Sequence, residues 1–176
     1  MTIRTVVRWS FMIGGTLFAA ASFWGLNALR INLNASGSMP DHAYVMWTWP
    51  QAKWRGMVIA AEPPEAYASQ FEGLYFTKRI VGIPGDLIEH RGDQVCIAAE
   101  CFPLAMKNGQ PFAPPLAEGV IPDGFYAAFG TSADSLDSRY VTIGLFSEER
   151  ILATGFGTNL IPHWTELKQW ADARGQ

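Results

Sequence analysis

The sequence predicts a mainly β protein, in which an antiparallel β-sheet domain follows one N-terminal transmembrane helix. The first observation is a run without charged residues from Trp9 to Leu29. The second is a series of short segments rich in β-branched and aromatic residues, separated by turn signals. The chain has 176 residues, enough for one domain and an anchor. We therefore expect the anchor within residues 1–30 and the folded domain within residues 31–176.

The uncharged run is long enough to span a bilayer. Its 21 residues would form a helix roughly 32 Å long, and a hydrocarbon core is about 30 Å thick. Arg4 and Arg8 precede the run, so the positive-inside rule places the N-terminus in the cytoplasm and the domain outside it. The alternative is a cleaved signal peptide, with an apolar region at 11–18 and an Ala-x-Ala site at 19–21. Both readings export the rest of the chain.

The sequence of the exported domain predicts a series of short β-strands. Short segments dominated by β-branched or aromatic residues lie at 44–49, 57–61, 75–81, 86–89, 94–97, 124–129 and 151–154. Two stretches that contain several prolines, 62–72 and 107–119, predict loops. Apolar residues at helical spacing predict a short helix over 164–173.

Composition excludes several classes of function. The net charge of −3 leaves no basic surface for nucleic acid, so we expect no nucleic-acid partner. The three histidines, His42, His90 and His163, are scattered, so we expect no metal site and no cofactor. Cys96 and Cys101 have four residues between them. In an oxidising compartment they either close a hairpin as a disulfide or remain two partly buried thiols.

Ser38 and Lys78 are the candidate catalytic pair. A serine hydroxyl becomes a nucleophile when a nearby base takes its proton, and a desolvated lysine amine can be that base. Strand alternation puts Lys78 on the same face as Phe76 and Ile80, so an inward orientation would bury the amine and lower its pKa. The alternative is that Lys78 snorkels to water from an edge strand and that Ser38 is an ordinary loop residue.

A third segment, residues 130–140, combines hydroxyl groups and carboxylates in one loop after a predicted strand. A lysine base needs an acceptor that orients its amine, and Ser135 is a candidate for that role. Asp137 and Arg139 are candidates for an ion pair that holds the loop. The alternative is a solvated turn, because Asp and Ser are common turn residues.

Together, these segments resemble the sequence boxes of bacterial type I signal peptidases, the Ser/Lys family S26 that removes leader peptides. The similar stretches are 36–40 (Ser-Gly-Ser-Met-Pro), 78–86, 122–126 and 135–140. The resemblance implies Ser38 as the nucleophile of a serine endopeptidase and Lys78 as its general base. It also implies an oxyanion hole formed by the Ser38 backbone N–H and the Ser36 hydroxyl. The fold it implies is a β-rich body of two antiparallel sheets.

The same resemblance extends to the surroundings of the base and to a subgroup of the family. It implies that Ser135 orients the Lys78 amine and that Asp137 and Arg139 support the loop. The short chain and single span look most like the conjugative-transfer (TraF-type) signal peptidases, which mature a pilin subunit for plasmid transfer. The best-known members of that group also join the ends of the pilin into a ring. The group has glycine where His42 stands in this chain.

The expected partners follow from the resemblance. The substrate would be a membrane-inserted precursor, either a conjugative pilin or, for a general signal peptidase, a secretory preprotein. The second partner would be the lipid bilayer, with the chain in the bacterial inner membrane and its catalytic domain on the periplasmic side. Trp47, Trp49 and Trp54 either sit at the bilayer interface as aromatic anchors or pack inside the sheet core.

Two further readings belong to other classes of protein. The first is a Ser/His/Asp hydrolase that pairs Ser38 with His42 or His90, although the chain contains no nucleophile-elbow motif. The second is a non-catalytic, membrane-anchored β domain that scaffolds an envelope or conjugation complex. The first reading requires a histidine beside Ser38, whereas the second requires no catalytic pair at all.

Overall fold

The computed structural model of the protein describes residues 3–34 and 36–174. The N-terminal helix α1 (Ile3–Ala28) contains one stretch, Val7–Ala28, that is long and apolar enough to cross a membrane, with a mean hydropathy of 1.2. The large apolar side chains of this stretch are exposed, whereas Ala28 at its end is buried. Near its C-terminal end, the ring of Trp24 meets that of Trp49 edge to face, with centroids 5.1 Å apart. The end of the helix is therefore in contact with the β domain.

The helix leads directly into a domain of short strands. In the described part of the chain these are β1 (Leu29–Leu33), β2 (Ala43–Trp47), β3 (Val58–Ala61), β4 (Phe76–Gly82), β5 (Leu87–His90), β6 (Gln94–Ile97), β7 (Glu100–Pro103), β8 (Met106–Lys107), β9 (Gln110–Pro111), β10 (Gly119–Val120), β11 (Phe125–Phe129), β12 (Phe146–Ser147) and β13 (Ile151–Thr158). Single 3-10 turns lie at Glu65–Tyr67 and Glu148–Arg150. A second helix, α2 (Trp164–Arg174), follows the last strand.

The strands form antiparallel sheets. The largest sheet has seven strands in the order β1-β2-β13-β3-β4-β11-β12, and a second sheet has four in the order β10-β5-β6-β7. A separate two-stranded hairpin joins β8 and β9. The strand β4 lies in the middle of the large sheet, where it pairs with β3 on one side and β11 on the other. The strand β1 is at the edge and pairs with β2.

Three groups of buried apolar side chains hold these sheets together. One group packs on the large sheet around Ile59, Ile80 and Phe146. A second joins the two sheets, where the rings of Phe102 on β7 and Phe129 on β11 meet edge to face at 4.8 Å. The third lies beneath the loop between β1 and β2 and comprises Met39, Tyr44, Met46, Val58, Ala60 and Ala153. Burial of this kind is the main stabilising contribution to a fold. The third group also fixes the base of the loop that carries Ser38.

The predicted fold class is confirmed: the chain is mainly β, with antiparallel sheets and one N-terminal apolar helix. Each of the seven predicted strands corresponds to an observed one, with ends shifted by up to four residues. The predicted C-terminal helix is present as α2. The loop expected at 107–119 is less irregular than predicted, because it contains β9 and the ends of β8 and β10. The strand β1 was not expected, and it begins before the predicted domain boundary at residue 30.

Two open alternatives have a clear structural outcome. Cys96 and Cys101 face each other across β6 and β7, and a disulfide joins them. Trp47, Trp49 and Trp54 are 36%, 63% and 57% exposed, so the reading in which they pack inside the sheet core is wrong. The sheet core is filled by smaller aliphatic and phenyl groups instead, and these three indole rings remain on its surface.

Candidate active site

The loop between β1 and β2 carries Ser38. Ser38 is partly exposed, and its neighbour Met39 is only 3% exposed because it packs into the apolar group beneath the loop. The Ser38 hydroxyl lies 2.9 Å from the Ser36 hydroxyl, and the Ser38 backbone N–H donates to Ser36 Oγ at 3.4 Å. The Ser38 carbonyl accepts the backbone N–H of Thr131 at 2.8 Å. The serine is therefore held from below by Met39 and from the side by the 130–140 loop.

Lys78 reaches the same place from the middle of β4. The alternation along this strand buries Phe76, Lys78 and Ile80, at 5%, 6% and 1% exposure, and this confirms the predicted inward face. Lys78 Nζ donates to Ser38 Oγ at 3.2 Å and lies 5.6 Å from the centroid of the Phe76 ring. The reading in which Lys78 snorkels to water from an edge strand is wrong, because β4 is flanked on both sides.

Burial changes the acid–base character of Lys78. Removal from water lowers the pKa of its amine from 10.5 to about 8, because the charged form loses its hydration. The carboxylate of Asp137 acts in the opposite direction and the guanidinium of Arg139 in the same direction. At a pKa of about 8, roughly a tenth of the amines are neutral at pH 7, about 300-fold more than for an ordinary lysine.

Asp137 and Arg139 form a buried ion pair in the 130–140 loop. Their side chains are 0% and 2% exposed, and the guanidinium makes two parallel bonds to the carboxylate, Nε to Oδ1 at 2.9 Å and a terminal nitrogen to Oδ2 at 2.7 Å. The carboxylate also accepts the Gly130 N–H at 2.8 Å, and Arg139 donates to the carbonyls of Ser132 and Pro103. This loop is therefore an ordered structure rather than a solvated turn.

Ser135 lies in the same cleft but does not make the contact expected of it. Its side chain is 3% exposed, and its hydroxyl is buried without a hydrogen-bond partner among the described residues. The expected hydrogen bond from Lys78 to Ser135 is absent, because the amine is directed to Ser38 Oγ and the Ser135 side chain packs against Gly130. A Cβ at Gly130 would overlap Ser135 and would lie 2.7 Å from the Ser38 carbonyl oxygen, so only glycine permits this approach.

The histidines do not complete a Ser/His/Asp site. The His42 ring stacks on Trp164 of α2 at 5.3 Å, and His90 Nε2 is 2.7 Å from the Leu116 carbonyl. Within the described ranges neither histidine is hydrogen-bonded to Ser38, so the Ser/His/Asp reading is wrong. Among the same residues, no three His, Cys, Asp or Glu side chains form a group that could hold a metal ion.

Two polar residues near Ser38 were missed by sequence reasoning. Thr131 donates to the Ser38 carbonyl, and Asn34, at the end of β1, bonds to three backbone groups of the Ser38 loop. Asn34 and the loop sit only a few residues apart in sequence, so an Asn just before the Gly-containing Ser38 segment was a usable signal of a local side-chain to backbone contact. The contact of Thr131 with Ser38 had no such signal in the sequence, because it joins segments far apart in the chain.

A cleft of about 690 Å³ opens above this group of side chains. One wall is the edge strand β1 with the Ser38 loop, the second is the segment 71–78, and the third is the segment 132–136. Lys78 lies at the base, and Ser38 lies beside it. The cleft thus presents a hydroxyl, a base with a lowered pKa and the backbone of an edge strand to one extended ligand.

Comparison with known proteins assigns the chain to a family. A family model for signal peptidases, peptidase S26, matches residues 3–160. Comparison with curated proteins gives no match. Among solved structures, the chain is similar to a signal peptidase I from Enterococcus faecalis V583, with 20% identity, a TM-score of 0.37, and coverage of 57% of this chain and 94% of that one. Because the family model spans most of the sequence, the chain belongs to the signal peptidase family, peptidase S26.

Proposed function

We propose that the protein is a membrane-anchored serine endopeptidase in which Ser38 is the nucleophile and Lys78 the general base. The observation that carries this proposal is the 3.2 Å hydrogen bond from a buried lysine amine, with a pKa of about 8, to a partly exposed serine hydroxyl. A base needs a pKa near the working pH and a position within hydrogen-bond reach of the proton it removes. Lys78 meets both conditions.

The reaction follows from these positions. Neutral Lys78 takes the proton of Ser38 Oγ as the oxygen attacks the scissile carbonyl, and the resulting ammonium then protonates the departing amine. The second half repeats the proton transfer, with water or another amine attacking the acyl-enzyme. The Ser38 N–H and the Ser36 hydroxyl would donate to the oxyanion, because both lie beside Ser38 Oγ and are close to each other.

The loop of residues 130–140 would support this pair. The ion pair between Asp137 and Arg139 holds Gly130, and the next residue, Thr131, holds the Ser38 carbonyl. Ser135 is close enough to the cleft to be a partner of the base when substrate is bound, since its hydroxyl has no other partner among the described residues. Ser135 would therefore support Lys78 only in the enzyme with substrate bound.

The substrate would bind as an extended strand in the cleft. The edge strand β1 carries backbone groups that an added strand can pair with, and it leads directly to Ser38. In an extended peptide alternate side chains point the same way, so the residues one and three positions before the cut would face the protein together. Small residues such as alanine would fit at both positions.

The precursor would be membrane-inserted. The apolar helix α1 and membership of the signal peptidase family indicate membrane anchoring. The domain is proposed to lie on the periplasmic side, because Arg4 and Arg8 precede the span. The exposed Trp49, which contacts Trp24 of the helix, supports a domain that rests at the bilayer interface.

Within the family we propose maturation of a conjugative pilin, with a general leader peptidase as the alternative. The resemblance of the sequence boxes, together with one apolar helix of spanning length among the described residues, supports the specialised group. Ring closure would follow if the amine of the pilin, rather than water, attacked the acyl-enzyme at Ser38. The experiment is co-expression with one co-encoded pilin precursor or with an ordinary secretory preprotein, followed by intact mass.

Preferential cleavage of the pilin, with Ser38→Ala inert, would support the specialised function. Equal cleavage of both precursors would favour the general leader peptidase. A mature pilin that is one water lighter than the linear chain would reveal ring closure. Cleavage of neither precursor, although the protein is folded and membrane-bound, would favour a non-catalytic scaffold. Lys78→Arg should behave as Ser38→Ala does, because a guanidinium stays protonated.

A further inference from the structure

The side chain of Asn34 ties together the two ends of the loop that carries Ser38. Asn34 Nδ2 donates to the carbonyl of Met39 at 2.8 Å and to the carbonyl of Asp41 at 2.7 Å. Asn34 Oδ1 accepts the backbone N–H of Ser36 at 3.2 Å. A side-chain amide offers two donor hydrogens and one acceptor oxygen, so both donors and the oxygen are used within one loop.

The segment that these bonds enclose has no regular structure of its own. Residues 36–42 form bends, so neither a helix nor a sheet holds their backbone. Pro40 also lacks an N–H and cannot donate a hydrogen bond. Ser38 lies between residues whose backbone groups bond to Asn34: Ser36 comes before it and Met39 after it. The direction of the Ser38 hydroxyl toward Lys78 therefore depends on contacts from outside the segment.

We propose that Asn34 is a positioning residue of the active site. Its amide holds the loop so that Ser38 Oγ stays within reach of Lys78 and the Ser36 hydroxyl stays beside the Ser38 N–H. The inference rests on the proposed function, because it assigns a role in the reaction of Ser38. Asn34 acts through the loop backbone rather than on the reacting atoms.

The chemistry of the contacts requires an amide. Both hydrogens of Nδ2 point at carbonyl oxygens, so a carboxylate of the same size would place its lone pairs against them. Asn34→Asp therefore keeps the volume of the side chain and removes both donors. If Asn34 only filled space, Asn34→Asp would retain activity. If the amide holds the loop through these hydrogen bonds, Asn34→Asp and Asn34→Ala should both lose activity.

We expect the Asn34 variants to have a lower kcat than the wild type. A misplacement of about 1 Å between reacting groups costs about 100-fold in rate, so loosening the loop should lower kcat about 10- to 100-fold. KM should change less than about threefold, because the walls of the cleft remain. The pH at which activity is half-maximal should stay at the wild-type value, because the burial of Lys78 is not altered.

Gln51 offers a matched control. Its side-chain amide also donates to backbone carbonyls, those of Thr48, Ile151 and Leu152, at 3.2, 3.1 and 3.0 Å. These contacts hold the β2–β3 connection, which is not part of the cleft. Gln51→Ala removes a comparable set of hydrogen bonds from a side-chain amide to the backbone. It should lower thermal stability without lowering kcat per folded molecule.

The experiment uses the full chain in detergent micelles and a purified precursor with alanine one and three positions before its cut. We would measure kcat, KM and the pH–rate profile for wild type, Asn34→Ala, Asn34→Asp, Asn34→Ser and Gln51→Ala, normalised to the folded fraction by circular dichroism. Asn34→Ser, which keeps one donor, serves if the alanine variant does not fold. Ser38→Ala provides the inactive baseline.

A fall in kcat in the Asn34 variants, with KM and the pH midpoint retained and Gln51→Ala near wild type, supports the positioning role. Wild-type kcat per folded molecule in Asn34→Asp overturns it. An equal fall in Gln51→Ala also overturns it, because the effect would then be general. If the wild type itself does not cleave, or Ser38→Ala does, the proposed function fails instead, and the two failures are distinguishable.

Discussion

Replacing Lys78 with methionine should make the protein more stable, by an amount that depends on pH. Methionine has a similar length and no charge, so Lys78→Met removes the cost of burying an ammonium at 6% exposure. The pKa of Lys78 falls from 10.5 in an unfolded chain to about 8 in the folded protein. At about 1.36 kcal/mol for each pH unit, this difference of about 2.5 corresponds to about 3 kcal/mol.

The sign follows from proton binding. Between pH 8 and pH 10.5 the unfolded chain holds a proton on Lys78 that the folded chain has lost. The contribution of Lys78 to the free energy of unfolding of the wild type therefore rises with pH through this window. Below pH 8 both states hold the proton, and the full cost of about 3 kcal/mol is present. This contribution should thus favour Lys78→Met by about 3 kcal/mol at pH 7 and should vanish near pH 10.5.

The assay is urea unfolding of the full chain in detergent, followed by circular dichroism, at pH values from 6 to 11. Subtracting the wild-type curve from that of Lys78→Met removes every titration the two proteins share. The loss of the hydrogen bond to Ser38 should reduce the difference by about 1 kcal/mol at all pH values. A difference that stays constant across this range would refute a lowered lysine pKa.

Three further predictions concern the reaction, the loop and the membrane. First, kcat/KM should rise about tenfold per pH unit below pH 8 and level off above it, because the free enzyme needs a neutral Lys78; a flat profile would exclude a lysine base. Second, Asp137→Asn should lower the free energy of unfolding by about 3–5 kcal/mol, because it leaves Arg139 buried without its partner. The matched change Glu89→Gln, in the exposed pair with Arg91, should cost less than about 1 kcal/mol, and equal losses would contradict the argument. Third, alkaline phosphatase fused after Gln176 should be active in cells, whereas activity of a fusion before Arg8 would reverse the proposed topology.

The strands that could be predicted are segments of four or more residues rich in β-branched and aromatic side chains, whether they alternate, as β4 does, or are buried throughout, as β3 is. In β4 the alternation partly exposes Thr77 and Arg79 and buries Lys78. The sequence alone indicated that Lys78 shares a face with Phe76 and Ile80, and the structure shows that this face points inward. The strand β1 was hidden because it follows the apolar helix without a break, and the apolar residue Leu29 was counted with the helix. The strands β8, β9, β10 and β12 have two residues each, too few for a pattern to emerge.

The candidate site was predictable in its residue types and less so in its contacts. Ser38, Lys78 and the pair of Asp137 and Arg139 come together as the order of the sequence boxes implied. Ser135 reaches the same cleft, yet the direction of its hydroxyl depends on how closely Gly130 packs against it. Such packing is set by the sheet and the loops together and has no signature in a single segment.

The ion pair of Asp137 and Arg139 explains how the loop can be ordered without raising the pKa of Lys78 as far as a lone carboxylate would. A lone carboxylate near Lys78 would favour the ammonium and raise the pKa of the lysine. Arg139 acts on Lys78 in the opposite direction to Asp137, so the pair raises the pKa of the amine less than Asp137 alone would. Burial then remains the largest effect, and it favours the neutral amine. The loop therefore obtains the strong, directional bonds of charged groups, while Lys78 keeps a lowered pKa, as its proposed role as general base requires.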